Sequence, residues 1–204
     1  MTTLAPPPTH LGRDLDRSRL GSVRTVPNVI TLVRTVTAVT IGLVGVAAHH
    51  PALLVVAYAV YWVGDILDGW SARTLGQETR LGAVFDIVSD RACTSVLCVG
   101  LLAHLSAVLP LAVVFLLSFM VLDTMLSLSF LCWPLVSPND FHRVDHRVWL
   151  LNWSPAAKAA NTAGVVAAIA LGAYAVGLAV ALVVVGVKMW SAARVLRLVE
   201  EQGR

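Results

Sequence analysis

Charge is scarce in this chain of 204 residues: only 13% are Asp, Glu, Lys or Arg, about half the share of a soluble domain. So little charge does not cover a water-facing surface, and a soluble globular protein is excluded. With 57% hydrophobic residues and a mean hydropathy of +0.78, the chain reads as a membrane protein. Cysteine is equally sparse. Cys93, Cys98 and Cys132 lie in apolar runs without CxxC spacing, which argues against a disulfide framework or a zinc site and leaves them as small hydrophobes. Internal repeats and low-complexity segments are missing too, which counts against a transporter built from repeated halves. Residues 1–25 lack the apolar core of a secretory signal peptide and carry Pro6-Pro7-Pro8, then Arg13, Asp14, Asp16, Arg17, Arg19 and Arg24. They are expected to form a solvated tail or, over 11–23, a short amphipathic helix on the lipid surface.

What the chain has in quantity is long apolar runs. A helix needs about 20 mainly apolar residues to cross roughly 30 Å of hydrocarbon, and the sequence offers six such stretches, near 28–48, 52–73, 82–104, 108–132, 157–175 and 178–198. The expected fold is an all-α, six-transmembrane-helix bundle forming one membrane domain over 26–200. The connection 133–156 holds Pro134, Pro138, Asn139, Asp140 and Pro155, too many breakers for another span. Lys and Arg crowd the segment before the first span, the loops 74–81 and 133–156, and the C-terminal end, and they are missing near 49–51, 105–107 and 176–177. The positive-inside rule then places both termini and the two basic loops in the cytoplasm. The same placement accounts for the net charge of +3 without a nucleic-acid partner. Several of the six tryptophans lie near span ends, as in an interfacial belt.

Four carboxylates stand inside these runs, in Asp65-Ile-Leu-Asp68-Gly69-Trp-Ser-Ala72-Arg73 and, after eight residues, Gly82-Ala-Val-Phe-Asp86-Ile-Val-Ser-Asp90. Each ionised Asp at the bilayer centre costs about 2.5–3.5 kcal/mol even on lenient scales, so an uncompensated set is untenable and a cation or polar cavity is required. Residues three or four apart share a helix face. Asp65, Asp68, Gly69 and Ala72 therefore form one stripe, and Gly82, Asp86 and Asp90 another. Counted outward from a turn near Gln77, Asp68 lies level with Asp86 and Asp65 with Asp90, which predicts one cluster of four. An oxygen-only set suits Mg²⁺ or Mn²⁺, one or two ions, rather than zinc or copper. The small residues leave room for a phosphorylated ligand, and Arg73 lies one turn toward the cytoplasmic side, where a guanidinium holds phosphate.

The string resembles the signature of the CDP-alcohol phosphotransferase family, D-x2-D-G-x2-A-R-x8-G-x3-D-x3-D, at all eight specified positions. The resemblance implies a divalent-metal-dependent phosphatidyltransferase of phospholipid biosynthesis that uses CDP-diacylglycerol. It implies metal ligands at Asp65, Asp68, Asp86 and Asp90, with Asp90 also the general base, and a CDP site that includes Asp65, Asp68, Gly69, Ala72, Arg73 and Gly82. It also implies a homodimer among membrane lipids. Pro27-Asn28-Val-Ile-Thr31-Leu-Val-Arg34 is similar to the P-N-x-x-T-x-x-R entry of bacterial glycerophosphate- and cardiolipin-forming members. That places Asn28 and Thr31 at the nucleotide, and makes glycerol 3-phosphate the expected acceptor in a bacterial plasma membrane. Inositol phosphate, serine and phosphatidylglycerol are the alternatives. Arg34, Arg143, Arg147 and Lys158 are candidate acceptor-binding cations. A cation-coupled transporter is the contrasting reading. Asp123 lies outside the signature and is expected to pair with Arg91, Lys188 or a partner subunit.

Overall fold

The structure is a computed structural model that describes residues 20–202, leaving aside the side chains of 162 and 163. The predicted tail over 1–25 lies largely outside the described residues. Among the described residues, seven helices carry the fold: α1 Val26–Ala47, α2 Pro51–Thr74, α3 Arg80–His104, α4 Ser106–Cys132, α5 His146–Asn152, α6 Pro155–Ala170 and α7 Tyr174–Gln202. No strand occurs among the described residues. Local sequence explains most of the boundaries. Thr25, Thr79, Asp145 and Ser154 cap α1, α3, α5 and α6 by accepting backbone N–H bonds, and Pro stands in the first turn of α1, α2 and α6.

Four of these helices, α1, α2, α4 and α7, are long and apolar enough to cross a membrane. The other two expected spans differ from this standard. α3 has the length, at 25 residues, but carries Arg80, Asp86, Asp90 and Arg91. α6 has only 16 residues, about 24 Å at roughly 1.5 Å per residue, because Leu171 and Gly172 end it short of the expected boundary at 175. Apolar composition alone does not reveal that stop, whereas Gly172, at φ +68°, supplies a left-handed turn that other residues adopt at a cost.

The first two helices turn polar and small residues inward and apolar residues outward. On α1, Asn28, Thr31 and Arg34 are buried, followed on the same face by Ala38, Gly42 and Gly45, while Val29, Leu32, Val33 and Val36 are exposed. α2 repeats the pattern, burying Ala57, Gly64, Asp68 and Ser71 and exposing Trp62, Val63, Ile66, Leu67 and Trp70. Apolar exteriors of this extent are what lipid, not water, tolerates. Small residues let the helices approach: a Cβ on Gly64 would lie 2.4 Å from Cβ of Arg34.

Side-chain bonds tie together the end of the bundle where the basic residues collect. Gln77 accepts from the Val26 N–H at 2.9 Å, and Arg80 donates to the carbonyls of Leu131 and Trp133, each at 2.9 Å. An apolar core of Ile87, Phe130, Trp133, Phe141, Val148, Trp153 and Val195 lies beneath. Deeper in, Asp123 binds two cations, Arg91 of α3 at 2.6 Å and Lys188 of α7. Arg91 also donates to Thr124 at 2.8 Å, with its guanidinium 3.7 Å from the centre of the Phe119 ring. Asp123 ends a π-helical turn, Ser118–Asp123, inside α4, a local widening of the kind that re-aims side chains.

Removing one partner from a buried ion pair leaves a stranded charge and costs about 3–5 kcal/mol. Asp123→Asn is therefore expected to lower the thermal unfolding temperature in detergent. Adding Lys188→Met is expected to recover part of the loss, because it removes one of the two stranded cations.

Candidate metal and nucleotide site

The hairpin between α2 and α3 positions the carboxylates. α2 ends in a Schellman turn: the N–H of Gln77 bonds to the Ala72 carbonyl at 2.9 Å and that of Gly76 to the Arg73 carbonyl at 3.4 Å. Gly76 takes φ +61°, the left-handed conformation this ending requires. The chain then reverses and Thr79 starts α3, its hydroxyl accepting from the Gly82 N–H at 3.0 Å. Two antiparallel helices joined so tightly bring their acidic stripes face to face. One carboxylate oxygen from each of Asp65, Asp68 and Asp86 lies within 4.8 Å of the others. An all-oxygen set that converges this closely fits a hard divalent cation.

The third element is α1. Thr31 donates its hydroxyl to Oδ2 of Asp68 at 2.7 Å, and the same oxygen receives Nε of Arg34 at 2.7 Å. The remaining guanidinium nitrogens reach Asp90 Oδ1 at 3.1 and 3.2 Å, Asp65 Oδ1 at 3.3 Å, and Asp86. Arg34, expected at an acceptor site, thus lies at the centre of the cluster with its side chain only 2% exposed. It links all four aspartates. Asp68 is closed off at 6% exposure while Asp65 and Asp86 each remain 41% open, so the cluster has an enclosed side and an accessible one.

The small residues of the stripe serve two purposes. A Cβ on Gly82 would sit 2.8 Å from Oδ1 of Asn28 and 2.9 Å from Oγ1 of Thr79, so Gly82 admits the start of α1. Asn28 is held there by its own bond to the Val23 carbonyl at 2.8 Å. Arg73 folds back over Gly69, where a Cβ would lie 3.3 Å from Nη1. With Ala72 half-buried, these residues leave a low-relief floor beside the open carboxylates.

The family model for CDP-alcohol phosphatidyltransferases matches residues 24–193, which takes in α1 to α6 and most of α7. The chain belongs to the CDP-alcohol phosphatidyltransferase family. Among curated proteins, this family member is similar to CDP-diacylglycerol–inositol 3-phosphatidyltransferases of three fungi. It is 37% identical to that of Candida albicans over 90 residues, 44% of this chain and 36% of the relative. It is 36% identical to that of Saccharomyces cerevisiae over 85 residues, 42% and 36% of the two chains. With that of Schizosaccharomyces pombe the identity is 44% over 48 residues, 24% and 20% of the two chains. The matched stretch thus spans about a third or less of these relatives' lengths. No solved structure matches the chain.

The candidate acceptor cations of this phosphatidyltransferase-family chain separate in space. Lys158, at the start of α6, donates to Oδ1 of Asn139 at 2.9 Å. Arg143 points outward, 67% exposed and 4.0 Å from Asp140. Arg147 instead lines a cavity of about 570 Å³ with Asp145, His146, Trp190, Arg194 and Arg197. Arg194 and Arg197 were legible only as C-terminal orientation charges, because their meeting with Arg147 depends on how α5 packs on α7.

Asp145 organises that cavity. It accepts from the N–H groups of Arg147 and Val148 at 2.9 and 3.1 Å and from Nε of Arg194 at 3.0 Å. Burial pushes its carboxyl up, but the Val148 N–H, the Arg194 side chain and the Arg147 N–H outweigh this and hold it below the usual carboxylate range. A depressed folded value means that the stabilisation is complete above the unfolded pKa, about 3.9, and disappears as pH falls through the folded one. Protection of the Arg147 and Val148 amides against hydrogen exchange, corrected for intrinsic rate, is expected to hold from pH 7 to about 5 and to fall below about pH 4. Asp145→Asn is expected to remove most of that pH dependence.

Proposed function

We propose that this chain transfers a phosphatidyl group from CDP-diacylglycerol to an inositol-class alcohol, releasing CMP. The observation that carries the reading is the convergence of Asp65, Asp68 and Asp86 on one point, with Asp90 joined to them through Arg34. That arrangement matches what displacement at a pyrophosphate demands. Divalent metal held by Asp65, Asp68 and Asp86, with Asp90 at the edge, would neutralise charge building on the departing CMP. The protein's own groups do the rest. Asn28, Thr31, Gly69, Ala72, Arg73 and Gly82 form the floor and walls for the cytidine diphosphate, and Arg73 supplies guanidinium donors to its phosphates.

Asp90 takes the proton from the acceptor hydroxyl. The freed oxygen forms a bond to the lipid-linked phosphorus as the bond to the bridging oxygen breaks, and CMP carries away that oxygen and the electron pair. Asp90 suits this role because it is anchored to the buried guanidinium and only 23% exposed, so few water molecules compete with the acceptor hydroxyl. The enclosed polar face and apolar exterior support a bundle lying in the bilayer with α3 and α6 completing six membrane-embedded helices. On that reading the basic end faces the cytoplasm and both ends of the chain lie there. The donor's acyl chains stay in lipid. Pairing of two copies follows from the family resemblance alone.

The acceptor departs from the glycerol 3-phosphate expected from the α1 entry segment, because the named relatives are inositol 3-phosphatidyltransferases. Three guanidiniums beside one carboxylate in the cavity of Arg147, Arg194 and Arg197 leave donors for an anionic group, and a phosphorylated inositol that reached both this cavity and Asp90 would use them.

CMP release by the purified protein in detergent, with CDP-diacylglycerol and Mg²⁺ or Mn²⁺, tests the reading against inositol phosphate, inositol, glycerol 3-phosphate, serine and phosphatidylglycerol in turn. The expected result is release with inositol phosphate, abolished by EDTA; release with glycerol 3-phosphate alone would overturn the acceptor assignment. Asp90→Asn should slow turnover by about 10²–10⁴-fold, and full turnover in that variant would remove it as the base. Arg194→Gln should raise KM for the phosphorylated acceptor by about tenfold or more, the equivalent of one charge-assisted hydrogen bond, while leaving KM for CDP-diacylglycerol unchanged.

A further inference from the structure

Arg34 has no place among the eight signature positions, yet its guanidinium is ion-paired with all four signature aspartates. Its Nη2 faces Oδ1 of Asp65, Asp86 and Asp90 together, and oxygens of Asp65 and Asp86 are among those that converge as a cation site. A guanidinium nitrogen and a divalent ion therefore draw on the same carboxylates. The side chain is held for this position. Gly64 leaves the space it runs through, since a Cβ there would come within 2.4 Å of Cβ and 2.7 Å of Cδ of Arg34. The ring of Tyr61 lies 5.4 Å from the guanidinium carbon, and Thr31 shares Asp68 Oδ2 with Nε.

Resting on the reading of these aspartates as a metal site, we propose that Arg34 is a built-in counter-cation. It holds the carboxylates together when no metal is bound, and it yields Asp65 and Asp86 to the divalent ion while keeping its Nε bond to Asp68. The physical need is plain: four carboxylates in an apolar bundle repel one another and strand their charge unless a cation stands between them. Arg serves this purpose because it stays protonated and presents five donors in a planar fork. Asp68 is the natural pivot, being the most enclosed of the four and bonded through Nε, while the open Asp65 and Asp86 are the pair that a ligand from outside reaches. The device carries a consequence for affinity. Metal binds only when the guanidinium gives way, so the apparent affinity is lowered by the fraction of protein in the metal-competent arrangement.

The test uses the full chain in detergent with Mn²⁺ alone, and reads free-ion electron paramagnetic resonance and thermal unfolding with no substrate present. Wild-type protein is expected to unfold at a lower temperature in EDTA than in Mn²⁺, but by a smaller margin than a variant without the guanidinium. Arg34→Met is expected to bind Mn²⁺ about tenfold or more tightly, to unfold roughly 5 °C lower in EDTA, and to recover when Mn²⁺ is restored. Gly64→Ala separates displacement from loss of charge, because it keeps Arg34 and crowds it out of its channel; it should shift Mn²⁺ affinity and EDTA sensitivity in the same direction. Wild-type Mn²⁺ affinity and EDTA response in whichever of these variants folds would overturn the proposal. Wild-type protein that binds no Mn²⁺, with Asp86→Asn no different, would instead overturn the metal reading and this proposal with it.

Discussion

Like charges enclosed by apolar helices must be neutralised, and this bundle is arranged around that requirement. Asp65, Asp68, Asp86 and Asp90 come from two helices, and the guanidinium that joins them comes from a third. The position of α1 follows. Its buried face opens with Asn28, Thr31 and Arg34 toward the carboxylates and continues as Ala38, Gly42 and Gly45, residues small enough for close approach along the rest of its length. Gly64 and Gly82 have the same purpose from the other side, making room for Arg34 and Asn28. Without the central cation, the convergence that makes the site would be the least stable feature of the fold.

The same rule is met a second time by Asp123, which lies between Arg91 and Lys188. α3 belongs to both networks: Asp86 and Asp90 face the Arg34 cluster, and Arg91, one residue further, turns to α4. A helix pinned by ions on two faces has little freedom to rotate, and a site that must hold a substrate against a base benefits from such rigidity. The π-helical turn that ends at Asp123 lies in the helix that meets Arg91 and Lys188. Arg80, Gln77, Lys158 and Arg194 meanwhile bind groups from other elements at the basic end. The basic end is thus tied together by side-chain bonds between elements, and the opposite connections carry none of these cations.

Family membership and site geometry address different questions. Membership rests on a match from residue 24 to 193 and accounts for the donor chemistry proposed for the aspartates. The inositol-class acceptor proposed above draws on the similarity to inositol 3-phosphatidyltransferases, whereas the entry segment, Pro27 to Arg34, turns its buried polar residues into the bundle.

The sequence by itself determined the membrane character, the apolar runs and the meeting of Asp65, Asp68 and Asp86. These follow from composition, from helical periodicity and from one short turn, and all three are local. Only the tertiary structure decided that Arg34 enters the aspartate cluster, and that Asp123 serves Arg91 and Lys188 together. It also decided that Arg147 joins Arg194 and Arg197, and that α6 stops at Ala170. The physical reason is the same in each case. A buried charge takes the nearest opposite charge that helix packing delivers, and the rotation, depth and crossing that deliver it are properties of the assembled bundle, not of the spacing along one helix.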